Sequence, residues 1–335
     1  MLTGQHPGLE AQEFGLAAYP AVHLGCPGEE DPHRHVRMVT AATLPLLKPA
    51  PDLLVVQGDT SSALGAALAG SLAGIPVAHV EAGLRTHDPR LPWPEEEYRT
   101  AIDAHADLLF APTERAAVNL RTEGLRGEVH VTGNTGIDAL IATQARLPAQ
   151  GPMHEPGRRI LVTCHRRETW GEGLKSIAAA LIEIVRDYSV RVDFVLHPNP
   201  HVAATMRQSL DSIRGISLIR PCTQSEIVRR MRDADLVLSD SGGIQEEAAA
   251  LGAPLLVLRE KTERPEVVAT GNARLVGTSA ERIVAEVRRL LGNPSELLAM
   301  ARPAFPFGDG HAGPRIAEIV KKWLEARRDL GQPLR

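Results

Sequence analysis

Six polar clusters in this 335-residue chain each follow directly on a short apolar run. They are Gly58-Asp59-Thr60, Glu81-Ala82-Gly83, Gly133-Asn134-Thr135, His165-Arg166-Arg167-Glu168, His197-Pro198-Asn199 and Asp240-Ser241-Gly242-Gly243. The last is the sharpest, because an apolar run ends, two glycines follow and Ile244-Gln245-Glu246-Glu247 opens a helix. Free N–H groups at a helix start carry partial positive charge, and glycine lets an anion approach the backbone closely. Ser241 can cap that helix and touch a phosphate; Glu247 lies just over one turn in, within reach of a ribose diol. His165 with Arg166 and Arg167 suits a pyrophosphate or a developing anion.

A second chemistry belongs to carboxylates. Asp59 and Glu81 each end a strand candidate, and Pro92-Trp93-Pro94-Glu95 opens a helix in which Glu95 and Arg99 lie four apart on one face. A surface ion pair is the ordinary reading of Glu95 and Arg99. Three carboxylates on one rim instead suit proton transfer at a carbon centre, where like charges raise one another's pKa. The sequence has no HExxH and no close His/Cys grouping, so no metal site and no cofactor is expected, and Arg side chains and helix ends must meet phosphate charge.

Parallel strands place such residues, since ligands of open parallel sheets bind beyond the carboxyl ends of the strands. Strand candidates 53–57, 76–80, 107–111 and 129–132 alternate with helices such as 61–73 and one capped by Thr113. After a Pro/Gly-rich stretch at 148–157 the pattern resumes at 160–163, 192–196, 216–219, 236–238, 255–258 and 274–276. The reading is an α/β chain with two Rossmann-like domains. The first spans 1–152, joined by a C-terminal helix at about 315–335, and the second spans 156–314.

Hydrophobic residues make up 43% of the chain and aromatics only 3%, so Leu, Val, Ile and Ala must build the cores. A net charge of -4 gives no electrostatic case for nucleic acid or an anionic membrane surface. Cys26, Cys164 and Cys222 are odd in number and widely spaced, which argues against a disulfide framework and points to the cytoplasm.

His79-Val80-Glu81-Ala82-Gly83-Leu84-Arg85-Thr86, Pro92-Trp93-Pro94-Glu95-Glu96, His165-Arg166-Arg167-Glu168, Asp240 to Glu247 and Thr262-Glu263-Arg264-Pro265-Glu266 occur in this order. Together they resemble the bacterial non-hydrolysing UDP-N-acetylglucosamine 2-epimerase family, from about Leu2 to about Glu325. The resemblance implies a glycosyltransferase-B type fold and interconversion of UDP-GlcNAc and UDP-ManNAc through elimination of UDP and its return to 2-acetamidoglucal. It implies Asp59, Glu81, Glu95, Arg99 and His165 as catalytic candidates, and Ser241, Gly242, Gly243 and Glu247 as UDP-binding positions. It further implies a homodimer and a second UDP-GlcNAc site, used for activation and lined by Gln5, His6, Arg166 and His197.

Family members open with a strand and a Gly-Thr-Arg-Pro-Glu-type loop, whereas Met1-Leu2-Thr3-Gly4-Gln5 reads as the end of a second strand. One strand–helix unit of roughly forty residues is therefore expected to lie upstream of Met1 or to be lost. A chain starting at Met1 is expected to be poorly stable and to turn over slowly. Two rival functions follow: a UDP-sugar-dependent glycosyltransferase of the same fold, or a UDP-sugar-binding protein without turnover.

Overall fold

The computed structural model describes residues 4–5, 16–148 and 157–329. The expected strand end at Met1 to Thr3, His6 and most of the Pro/Gly-rich stretch lie outside the described residues. The chain forms two compact units, one of residues 1–134 with 311–335 and the other of residues 135–310.

In the first unit β1 (Leu54–Gln57), β2 (Val77–Val80), β3 (Leu108–Ala111) and β4 (Glu128–Val131) form a parallel sheet in that order. Its helices are α1 (Pro32–Thr43), α2 (Ser61–Ala73), α3 (Glu95–His105) and α4 (Glu114–Thr122). Every residue of β2 and β3 is buried, as expected for strands covered on both faces. The small residues of α2 let α1 come close: a Cβ on Gly65 would lie 2.8 Å from the Val36 carbonyl oxygen. Thr60 and Thr113 cap α2 and α4, each accepting at 3.1 Å from the backbone N–H three residues on.

The second unit begins with α5 (Thr135–Arg146) and continues β5 (Arg158–Thr163), α6 (Glu172–Asp187), β6 (Val190–Val195), α7 (Pro200–Leu210), β7 (Ile216–Ile219) and α8 (Gln224–Asp233). It is completed by β8 (Leu236–Ser239), α9 (Gly242–Leu251), β9 (Leu255–Val257), α10 (Pro265–Ala269), β10 (Ala273–Leu275), α11 (Ala280–Gly292) and α12 (Pro294–Met300). The parallel sheet runs β10-β9-β8-β5-β6-β7. Alternate residues serve opposite cores. Ile160 and Val162 pack with Ile177, Leu181 and Val287, while Leu161 packs with Ile137, Met231 and Ala249. Ile137 and Leu140 thus anchor α5 in this second core, so the division falls ahead of α5 and not in the Pro/Gly-rich stretch.

Helix α13 (Ala312–Asp329) packs on the first unit, where Ile316 meets Ala78, Val80, Leu108 and Phe110. Arg315 donates to the Thr132 carbonyl at 3.2 Å, and the Trp323 indole N–H donates to Glu128 at 3.0 Å. Among the described residues no helix is long and apolar enough to cross a membrane.

Candidate active site

The order of the second sheet decides where a ligand can bind in that unit. From β5 the chain winds through β6 and β7 on one side, then returns to place β8, β9 and β10 on the other. Beyond the ends of β5 and β8 the connections diverge and leave a crevice. Thr163 and Ser239 are register partners at these two ends, and their hydroxyls hydrogen-bond at 2.7 Å. His165 follows one strand, and Asp240-Ser241-Gly242-Gly243 follows the other.

Asp240 is fully buried and serves the His165 turn. Its carboxylate accepts from the backbone N–H of His165 at 2.9 Å and of Arg166 at 3.0 Å, and from the Thr169 hydroxyl at 2.8 Å. It also lies 3.2 Å from His165 Nδ1. A carboxylate there fixes a proton on Nδ1 and leaves Nε2 for a ligand. Burial pulls the His165 pKa down, Asp240 opposes this, and Arg166, His197 and Arg259 add to the lowering. The ring is therefore neutral at pH 7 until an anion arrives.

Ser241 caps α9, accepting from Ile244 N–H at 3.4 Å. The two glycines have different surroundings. A Cβ on Gly242 would lie 2.5 Å from Arg264 Nη1, so its missing side chain admits a buried guanidinium. Gly243 has nothing within 4 Å of its Cβ position. Arg264 donates to buried Glu246 at 2.6 Å and pairs with Glu263, while Arg259 donates to Glu263 at 2.9 Å. Thr262 donates to Gln245 at 2.7 Å. This ionic network pins the first turn of α9 to the segment after β9.

Glu247 accepts from the Gln224 side chain at 2.6 Å. Burial pushes its carboxyl up to about 7 against the lowering effect of that amide. A pocket of about 200 Å³ opens beside the β5 and β6 ends, lined among others by Cys164, His165, His197, Pro221, Cys222 and Ile227. His197 accepts from Asn199 N–H at 2.9 Å and meets Trp170 edge-on at 5.9 Å. The Arg166 guanidinium lies 3.6 Å from Glu263.

In the first unit, register pairs Gln57 with Val80, so Gly58-Asp59 and Glu81 leave adjacent strands side by side. A Cβ on Gly58 would lie 3.7 Å from Glu81 Oε2. Glu81 has a left-handed backbone, φ 71°, a conformation that a non-glycine residue holds only when its surroundings fix it. Arg99 is 1% exposed. It donates to Asp59 at 2.5 Å and to buried Glu96 at 2.9 Å. Glu96 in turn accepts from Thr86 and His87 N–H at 2.8 and 2.9 Å. Glu95 stands half-buried at the first turn of α3.

A sequence model described as UDP-N-acetylglucosamine 2-epimerase matches residues 1–321. The UDP-N-acetylglucosamine 2-epimerase of Salmonella typhimurium is 43% identical over 310 residues, covering 87% of this chain and 82% of the relative. The Escherichia coli K12 enzyme of that name is 42% identical over 308 residues, with the same coverage. A crystal structure of the Neisseria meningitidis UDP-GlcNAc 2-epimerase bound to UDP-GlcNAc superposes with a TM-score of 0.87 at 35% identity, covering 93% of this chain and 87% of that one.

The chain belongs to the UDP-N-acetylglucosamine 2-epimerase family. By that membership it is an isomerase, and its two parallel-sheet units are those of the glycosyltransferase-B type epimerases. Within this epimerase framework, Asp59, Glu81 and Arg99 come together in the first unit, with Glu95 at the start of the helix that carries Arg99. His165, Ser241, Gly243 and Glu247 follow β5 and β8 in the second. Gln5 lies in the first unit, where its side-chain oxygen accepts from Ser62 at 2.6 Å.

Sequence reasoning missed Glu96 as a holder of Arg99; its spacing of three from Arg99 was an available signal. It also missed the Asp240 contacts, which join residues 71 to 75 positions apart and leave no local pattern. Among the described residues no group of three or more His, Cys, Asp or Glu could hold a metal ion.

Proposed function

We propose that this chain interconverts UDP-GlcNAc and UDP-ManNAc by inverting C2. A base takes the C2 proton, the C–H electron pair becomes the C1=C2 bond, and the C1–O bond breaks to release UDP. UDP then re-adds to C1 of 2-acetamidoglucal as a proton reaches the other face of C2. Inversion needs proton-handling groups on two faces, and the observation that carries this reading is the pairing of Asp59 and Glu81 on adjacent strand ends beside Arg99. Glu95 belongs to the same set. On the nucleotide side, Gly243 N–H, Ser241 and His165 Nε2 are suited to the diphosphate, Glu247 to the ribose, and the pocket beside Ile227 to the base. A diphosphate charges His165, which then donates from Nε2 to the departing oxygen. Gln5, His6, Arg166 and His197 are the proposed regulatory contacts, and the homodimer is the proposed assembly.

Incubation with UDP-GlcNAc alone in deuterated water tests the reading by NMR. Deuterium enters C2 of substrate and product without an acceptor. A glycosyltransferase or an inert UDP-sugar binder leaves C2 protonated, and that result sinks the proposal.

A further inference from the structure

Residues outside the proposed reaction connect the two carboxylate turns of the first unit. His79, on β2, and Asp103, on α3, are both fully buried. His79 Nδ1 lies 2.6 Å from Asp103 Oδ1, and Nε2 lies 2.9 Å from the Gly58 carbonyl oxygen. Asp103 Oδ2 accepts from Gly83 N–H at 3.2 Å and lies 2.8 Å from Arg85 Nη2. Arg85 also meets Glu123 with Nε and Nη2, at 2.8 and 2.7 Å.

A backbone carbonyl can only accept, so His79 Nε2 donates to the Gly58 oxygen, and Nδ1 shares a hydrogen bond with Asp103 Oδ1. Buried Arg85 lies 2.8 Å from buried Asp103, so the guanidinium is paired with a carboxylate inside the unit, as burial of charge requires.

The same contacts define a bracket. Through Gly83 N–H, Asp103 holds the turn that carries Glu81. Through His79 and the Gly58 carbonyl, it holds the turn that carries Asp59. Both turns are otherwise constrained: Gly83 has φ 82° with its Cβ position 2.3 Å from the Ala116 carbonyl oxygen, and Gly58 has φ 70°. Asp103 lies one turn beyond Arg99 on α3, so a single helix face grips the Asp59 side chain with Arg99 and both backbone turns with Asp103.

We propose that Asp103 and His79 are positioning residues that set the spacing of Asp59 and Glu81 for C2 chemistry. This inference rests on the epimerase reading above. A network that merely holds α3 in place would lose stability when broken and spare the turnover of the molecules that stay folded; a positioning pair loses turnover in the folded protein. Asn at 103 keeps the shape but loses the charge and one acceptor oxygen where three groups, His79 Nδ1, Gly83 N–H and the Arg85 guanidinium, meet the carboxylate, so the bracket loosens.

The test uses the full chain in two arms. In the first, ¹H–¹⁵N NMR of histidine-labelled wild type reads the hydrogen bonds of the His79 ring; a proton shared with Asp103 and one held on the Gly58 carbonyl's side are expected, and a ring without the Asp103 bond overturns the proposal whether or not any variant folds. In the second, Asp103→Asn is compared with wild type for C2 deuterium exchange and for UDP affinity. The expected result is a kcat lower by roughly a hundredfold with KM and UDP affinity within about threefold, the signature of misplaced groups and an intact binding site. A folded Asp103→Asn chain with wild-type kcat, or one whose UDP affinity falls along with kcat, overturns the proposal. If wild type itself exchanges no C2 proton, the epimerase reading fails, a result distinct from active wild type with an equally active variant.

Discussion

Residue identity at single positions sets the charge state that the ligand meets. Glu247 has the clearest consequence. Burial keeps its carboxyl protonated up to about 7, although an exposed glutamate ionises near 4.5. The ionised form accepts from both hydroxyls of a ribose diol, whereas the protonated form spends one oxygen as a donor. With Glu247 on the ribose as proposed, affinity for UDP-GlcNAc is expected to rise between about pH 6 and about pH 8, as its carboxyl loses a proton. The substrate's pyrophosphate diester does not titrate in this range, so calorimetry at several pH values isolates the side chain. Glu247→Gln is expected to bind roughly tenfold more weakly and to flatten this pH dependence. A variant that keeps the wild-type slope would assign the titration to another group.

Elements determine why the same residue type meets two surroundings at adjacent positions. Gly242 and Gly243 both sit in the first turn of α9, yet only Gly242 is packed by the protein itself. Gly242→Ala places a methyl 2.5 Å from Arg264 Nη1. It is expected to destabilise the chain by about 1–3 kcal/mol, because Arg264 is tied to Glu246 and Glu263 and cannot withdraw freely. Gly243→Ala meets no neighbour, so its denaturation midpoint should stay within about 0.5 kcal/mol of wild type. Its cost appears in nucleotide affinity, since the added methyl occupies the approach to the helix N–H groups. Urea unfolding combined with UDP titration of both variants separates the two roles. Equal loss of stability in both would refute the assignment.

Across the whole molecule, mass action would link the proposed nucleotide site to the stability of the second unit. UDP at about a hundredfold over its Kd should add roughly 2.7 kcal/mol to the folded state. In hydrogen exchange, the added protection should concentrate in residues 163–169 and 239–247 of the second unit. Protection confined to the first unit would contradict the proposed binding residues. At this scale too, much was legible in the chain. Runs such as Leu53 to Gln57 and Leu108 to Ala111 declare strands because parallel strands buried on both faces need continuous apolar side chains. Ser241 and Thr113 declare helix starts because a capping oxygen acts over three residues. Motif order identified the family. Those are local signals, or signals preserved in linear order. The tertiary structure alone decided that Arg99 grips Asp59, that Asp240 holds the His165 turn, that Gly242 makes room for Arg264, and that α5 joins the second core. Each depends on groups brought together by strand order, across tens of residues that leave no periodic trace, and burial then makes the pairing of those charges obligatory.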